Sequence, residues 1–197
     1  MTPVILASQS PTRAALLRGA GVTFTARSPG VDEDALKAGL LAEGAPPRDI
    51  ADILAETKAV RVSQRAEGLV IGADSTVDLG GVLIDKAVTM DEARGRLLSF
   101  RGRSHALHSA VVVARDGRPI WREVKTARLH VRDFSDAWLE GYLAREGEAL
   151  LGSVGCYRLE GEGLQLFDKV DGDYFTILGL PMVGLLDLLR RHGALPA

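Results

Sequence analysis

The stretch Leu6-Ala-Ser-Gln-Ser-Pro-Thr-Arg13 places two serine hydroxyls, the open amides of a helix start and one guanidinium within a single turn. Those groups suit phosphate oxygens, because N-terminal helix amides and a forked guanidinium both favour spread negative charge. Read alone, the same residues also describe an ordinary capped helix carrying a surface arginine. Asp74 is the second candidate. It follows the unbroken apolar run 69–73, and ligands in open α/β sheets collect outside the carboxyl ends of strands. At such an end its carboxylate serves as a base or metal ligand, or as a turn aspartate bonded to the amides of Ser75 or Thr76. In the first reading Lys58 and Lys86 complete a cationic pocket with Arg13, and Asp32 and Glu33 add carboxylates for a divalent ion. Taken singly, each of these charges is of a type that sits solvated on a surface.

Other reactive side chains carry less. His105 and His108 do not make a metal pair, because three residues apart on a strand their imidazoles point to opposite faces. Cys156 has no local histidine to activate it and reads as packing. Trp138 and Tyr142 read as core or surface aromatics, since two rings give no stacking ladder for single-stranded nucleic acid. No Gly-x-x-x-x-Gly-Lys-Ser/Thr loop is present, and no Gly-x-Gly-x-x-Gly opens a helix. Thr76 stands where an aspartyl-phosphate enzyme needs its second aspartate, which disfavours a covalent phosphoenzyme.

These groups need elements to hold them. Residues 4–7 predict a short buried strand, with Ser10 as N-cap and Pro11 as first position of a helix ending near 19–21. Across 48–65, Ile50, Ile53, Leu54 and Thr57 recur at helical spacing with Lys58 beside the stripe. Residues 69–73 predict a strand covered on both faces, with Asp74 at its carboxyl end. Thr89 and Glu92 form a capping box ahead of Ala93, Leu97 and Leu98. Strands over 106–114 and 120–131 flank Asp116-Gly117, a hairpin turn pair. Ser135 caps a helix through Arg145, and Pro181 begins one ending before Gly193, with Leu185, Leu188 and Leu189 as its buried stripe. Helices alternating with strands around a central hairpin make an α/β protein with a mixed sheet.

Composition narrows the partners. No repeat, low-complexity tract or linker divides the 197 residues, so 1–197 reads as a single domain. A chain this long buries roughly 70% of its unfolded surface, so its core needs neither metal nor disulfide and a metal serves chemistry. The 24 basic against 26 acidic side chains leave a charge of -2, which offers no general field for DNA, RNA or an anionic membrane. One cysteine excludes disulfide frameworks and multi-cysteine zinc sites within the chain and fits the reducing cytoplasm. The start has no basic leader, and the longest apolar stretch, 177–186, contains Pro181 and is half a membrane span, so neither export nor membrane insertion is expected.

Taken together, Leu6-Ala-Ser-Gln-Ser-Pro-Thr-Arg13, Val31-Asp-Glu33, Lys58-Ala59, Gly72-Ala-Asp74, the Lys86 segment, Gly102-Arg-Ser-His105 and Gly179-Leu-Pro181 resemble the Maf family. The blocks follow in order across nearly the whole chain. The resemblance implies a fold similar to inosine triphosphate pyrophosphatases: an elongated mixed β-sheet with flanking helices, two lobes with a cleft between them, and a homodimer. It implies hydrolysis of a nucleoside triphosphate to the monophosphate and pyrophosphate, with a divalent cation such as Mg or Mn and no organic cofactor. It makes Asp74 the proton acceptor for water and a metal ligand with Glu33, and sets Ser8, Arg13, Lys58 and Lys86 around the phosphates. Attack at the α-phosphorus builds charge on nonbridging oxygens and departing pyrophosphate, which such cations stabilise.

Three positions sort the family's substrate branches, and here they hold Thr12, Ser75 and Glu160. The dTTP/UTP branch typically has Arg, Thr and Gln there, and the 7-methyl-GTP branch Trp, Gln and Glu, so only Glu160 matches a known pattern. A carboxylate accepts from the N1 and N2 hydrogens of guanine, and N7 methylation makes that base cationic, whereas uracil and thymine present an acceptor. The alternative is a loop carboxylate without a ligand. Ala87 replaces the family's usual proline after the lysine, and Thr57 a common acidic residue before Lys58. Three competing readings stay open: a noncatalytic nucleotide-binding regulator of septum formation, a phosphatase releasing orthophosphate, and a pyrophosphatase of the dTTP/UTP branch.

Overall fold

The computed structural model describes residues 1–196. Its elements are β1 (Val4–Ala7), α1 (Pro11–Gly19), β2 (Thr25–Ala26), α2 (Glu33–Ala42), α3 (Pro47–Ser63), β3 (Leu69–Leu79) and β4 (Val82–Ile84). There follow α4 (Met90–Phe100), β5 (Ser104–Arg115), β6 (Arg118–Val131), α5 (Asp136–Glu146), β7 (Phe167–Asp171), α6 (Tyr174–Ile177) and α7 (Met182–Arg191). Two 3₁₀ turns, Gly147–Gly152 and Glu162–Leu166, lie between α5 and β7. The 7-stranded sheet runs β2-β1-β3-β5-β6-β7, with β4 also on β3. Strand β1 is parallel to β2 and β3, and every other pairing is antiparallel, so the sheet is mixed as expected. Among the described residues no helix is long and apolar enough to cross a membrane.

Local chemistry sets most boundaries. Ser10 and Ser135 accept from the Arg13 and Trp138 amides, satisfying donors that a helix start leaves open. Thr89 accepts from the Glu92 amide, while Glu92 Oε2 reaches back to the Val88 amide at 2.8 Å, one residue before the cap. Asp116 and Gly117 turn the β5–β6 hairpin with φ of 52° and 75°, the left-handed pair such a turn demands. Leu185, Leu188 and Leu189 are buried along α7. The elements without a sequence signal were β2, α2, β4, β7 and α6. Helix α2 buries no residue, the short strands β2, β4 and β7 are held by the strands they pair with, and α6 is a single turn capped by Asp173.

One expectation is corrected. Strand β3 does not stop at residue 73. It pairs in parallel with β1 only through Ala7 and Gly72, then continues antiparallel to β5 through Asp78, so Asp74 lies in mid-strand. That also excludes the turn-aspartate reading, because the backbone here is extended and committed to the ladder.

Apolar burial forms separate clusters along the sheet. Leu6, Leu17, Ile71, Leu180, Leu185 and Leu189 pack together at one end. Leu97, Phe100, Leu129, Phe134, Leu139 and Tyr142 pack at the other. Ala73 belongs to the first and Val77 to the second, so Asp74 and Ser75 fall at the junction.

Helix α3 crosses that junction at close range. A Cβ at Gly72 would lie 2.2 Å from the Ala55 carbonyl oxygen and 2.6 Å from the Ala59 amide, both fixed backbone atoms. Ala51, Ala55 and Ala59 fill the remaining space against Ala110, Val112 and Ala114. Gly72→Ala must push α3 off the sheet, and because the clash is with fixed backbone the cost is expected at about 3 kcal/mol, the upper end of the usual range for overpacking. Urea denaturation checks this, and a loss below about 1 kcal/mol contradicts the packing.

Candidate active site

The edge of β3 that faces β1 is interrupted. Strand β1 covers it as far as Gly72 and β4 resumes at Val77, leaving residues 73–76 without a strand on that side. Arg13, from the first turn of α1, closes part of the break. Its Nη1 donates to the Ala73 carbonyl at 3.0 Å and lies 3.5 Å from Ser8 Oγ, its Nε donates to the Gly179 carbonyl at 2.8 Å, and its Nη2 to Ser75 Oγ at 3.2 Å. Of five guanidinium hydrogens, one on Nη2 remains for a ligand. Arg13 is thus a brace joining α1, β3 and the α6–α7 turn, not a free surface arginine. Burial pushes its pKa down from the ordinary value, and the charges of Asp74 and Glu33 pull it back up.

Alternation along β3 turns Asp74 to the other face, toward α3. There Lys58 Nζ lies 2.7 Å from Asp74 Oδ1 and 2.8 Å from Glu33 Oε2. Lys58 is not beside the apolar stripe in solvent but within the buried face of α3, at 4% exposure. The Gly72 approach permits this, since it brings α3 close enough for an ammonium to reach the strand. Glu33 arrives on the first turn of α2, whose N-cap is Asp32, bonded to the Ala35 amide. Asp32 is therefore spent on capping, and Glu33 is the carboxylate that joins the site. With Arg13, two carboxylates meet two cations, so the junction is charge-balanced before any ligand arrives.

The remaining predicted residues are placed less tightly. Ser8, buried at the end of β1, accepts from the Ser10 amide at 3.2 Å. Thr12 is half-buried in the first turn of α1. Lys86 is exposed in the β4–α4 loop and Glu160 in the loop before the second 3₁₀ turn; neither has an ion pair among the described residues. Sequence reasoning missed Ser109, which bonds Ser75, and the Gly179 carbonyl, which bonds Arg13. A hydroxyl inside the apolar run of β5 was the signal for the first.

A divalent ion fits the donor set. Asp74 and Glu33 already converge on one cationic centre, Lys58 Nζ, and a hard ion such as Mg binds through one or two carboxylates plus substrate phosphates. Among the described residues no group of three or more His, Cys, Asp and Glu side chains gathers as a metal cage, so any ion held by this carboxylate pair would complete its shell from water and substrate oxygens.

His105 and His108 point apart, as their spacing predicts. His105 stacks on Phe100 at 4.4 Å and bonds the Tyr157 hydroxyl at 2.7 Å, whereas His108 bonds Thr126 at 2.8 Å. Burial, with His130 a smaller cause, pushes His105 down from 6.5 to about 4. Between those values the unfolded chain takes a proton that the fold refuses. Stability present above pH 6.5 is therefore lost as pH falls toward 4, by about 3 kcal/mol for this group. His105→Gln is expected to flatten the decline of melting temperature across that window; parallel pH profiles for the two proteins contradict it. Cys156 is buried and its thiol pushed up by burial, so it packs rather than reacts.

Comparison with known proteins identifies relatives of the whole chain. A family model described as Maf-like protein matches residues 3–192. The chain is 71% identical over 195 residues to a nucleoside triphosphate pyrophosphatase of Caulobacter vibrioides, covering 99% of this chain and 98% of that protein. It is 49% identical over 190 residues to a 7-methyl-GTP pyrophosphatase of Brucella suis, covering 96% of each. A 7-methyl-GTP pyrophosphatase of Rhizobium meliloti is 50% identical over 195 residues, 98% of each chain.

Proposed function

The chain belongs to the Maf family, and from that premise we propose that it hydrolyses a nucleoside triphosphate to the monophosphate and pyrophosphate, clearing unwanted nucleotides. The observation that carries this reading is the convergence of Lys58 on Asp74 and Glu33 at the break in the sheet, with Arg13 alongside. A triphosphate brings negative charge that such a site can distribute, and water needs a carboxylate to take its proton.

Asp74 Oδ1 is held by Lys58, which leaves Oδ2 to accept a proton from water. The water oxygen forms a bond to the α-phosphorus as the bond to the bridging oxygen breaks, and that electron pair leaves with pyrophosphate. Lys58 keeps the Asp74 carboxylate oriented. The spare Nη2 hydrogen of Arg13 meets a phosphate oxygen, and Ser8 and Lys86 add a hydroxyl and an ammonium. A divalent ion held by Asp74 and Glu33 neutralises charge on the phosphate oxygens when bound.

The test is a nucleotide panel with Mg or Mn, in which monophosphate and pyrophosphate are resolved by chromatography. Diphosphate with orthophosphate contradicts cleavage at the α-phosphorus, and tight binding with no products favours a noncatalytic regulator. Among substrates, 7-methyl-GTP or another modified purine is favoured by Glu160, whose carboxylate can accept from the N1 and N2 hydrogens of guanine; two relatives about half identical to this chain are named for 7-methyl-GTP. Glu160→Gln is expected to lower the ratio of 7-methyl-GTP to UTP turnover at least severalfold, because it exchanges a charged acceptor for an amide. An unchanged ratio removes this side chain from base selection. The reading extends to a cytoplasmic homodimer, checked by light scattering and cell fractionation.

A further inference from the structure

Ser109 is wholly buried in β5, directly opposite Ser75 in the strand register. Its hydroxyl donates to the Thr176 carbonyl at 2.7 Å, and the two serine oxygens lie 2.9 Å apart. A carbonyl only accepts, so the one hydroxyl hydrogen of Ser109 is committed there. The hydrogen between the serines therefore belongs to Ser75. Ser75 in turn accepts from Arg13 Nη2 at 3.2 Å. Direction is fixed along the whole chain, from Arg13 to Ser75 to Ser109 to Thr176.

We propose that Ser109 is a positioning residue for the reaction: by taking the Ser75 hydrogen, it holds Ser75 as an acceptor and aims the Arg13 guanidinium. This rests on the pyrophosphatase reading above and assigns that site a residue outside the expected set. Nε and Nη1 of Arg13 are pinned by the Gly179 and Ala73 carbonyls, so Ser75 is what steadies Nη2, the nitrogen with a hydrogen to spare. Without an acceptor at Ser109, the Ser75 hydrogen competes with Nη2 for the same space, donor against donor. A loosened guanidinium stabilises developing phosphate charge poorly, because such stabilisation depends on preset geometry.

There is a second consequence at position 75. Its hydroxyl hydrogen is spent on Ser109, so Ser75 acts on the nucleotide through Arg13 and not as a donor to the base. Thr176 does not explain the effect, because its carbonyl also accepts from the Gly179 amide at 3.1 Å and stays bonded when Ser109 is lost.

The experiment is a double-mutant cycle read by pyrophosphate release, with kcat and KM measured for wild type, Ser109→Ala, Ser75→Ala and the double variant. Ser109→Ala is expected to lower kcat roughly tenfold with KM within about twofold, the scale of one hydrogen bond. Because Ser109 acts through Ser75, the double variant is expected to be no slower than Ser75→Ala alone. Losses that multiply, or a Ser109→Ala enzyme within twofold of wild type, overturn the proposal while wild-type turnover upholds the pyrophosphatase reading. A wild-type protein releasing no pyrophosphate overturns both. Should Ser109→Ala fail to fold, Ser109→Cys, slightly larger and with a weakly accepting sulfur, replaces it in the cycle, with a lowered kcat and the same non-additivity with Ser75→Ala expected, and multiplying losses overturning the proposal.

Discussion

Asp74→Asn is expected to lower kcat for pyrophosphate release by about 10²- to 10⁴-fold, the range that general-base assistance supplies. The amide keeps the size and shape of the side chain but cannot take a proton from water. The fold should survive. Lys58 retains Glu33 as a partner at 2.8 Å, so its buried ammonium is not stranded when Asp74 loses its charge. Removing the carboxylate relieves repulsion of the anionic substrate but also weakens the hold on a divalent ion, so kcat at saturating Mg or Mn, and not KM, reads the proton-accepting role. Steady-state kinetics, with a melting curve for each protein, separate these effects. Retained kcat within tenfold of wild type takes Asp74 out of the proton-accepting role.

Lys58→Met is expected to act on stability as much as on turnover. Methionine matches the length of the lysine stem but leaves the Asp74 carboxylate buried with no cation at 2.7 Å. Breaking a buried pair from one side costs about 3–5 kcal/mol when the remaining charge is desolvated, and the partial exposure of Asp74 with Arg13 nearby places this case toward the lower end. Glu33, half exposed, recovers solvation more readily than Asp74, so Asp74 bears most of the cost. The expected result is a denaturation midpoint well below wild type together with loss of turnover. Adding Asp74→Asn to Lys58→Met should restore part of the stability, because it removes the unpaired charge. If the double variant is less stable than Lys58→Met, desolvated charge is not the cause.

Much of the frame was legible in residue order. The apolar run before Asp74, the Ser10-Pro11 start, the Thr89 to Glu92 spacing and the Asp116-Gly117 turn each act over a few residues, where capping, φ preference and alternation operate. Among the elements not anticipated, α2 buries no side chain, so hydrophobic periodicity could not mark it, and it is held at its start by the Asp32 cap. Strand β4, with three residues, draws its order from the strand it pairs with. The end of β3 was misread for the same reason. A strand stops where its partners stop, and β5, more than 30 residues away in the chain, carries it past Asp74.

The site divides along the same line. Residue types and spacing offered Asp74, Lys58, Lys86, Arg13, Asp32, Glu33 and the Ser8 hydroxyl as candidates for a phosphate and metal site on an α/β sheet, and the family resemblance chose among them. Charge alone made Lys58 and Arg13 surface residues, because a lysine or arginine carries no sign in sequence that it is buried. Tertiary structure reversed that: the missing Cβ of Gly72 lets α3 approach until Lys58 meets Asp74, and the gap between β1 and β4 gives Arg13 backbone carbonyls to bond. Local order can specify a group's reactivity, but its protonation partners, burial and direction depend on contacts between distant segments. Those contacts exist only once the sheet has formed.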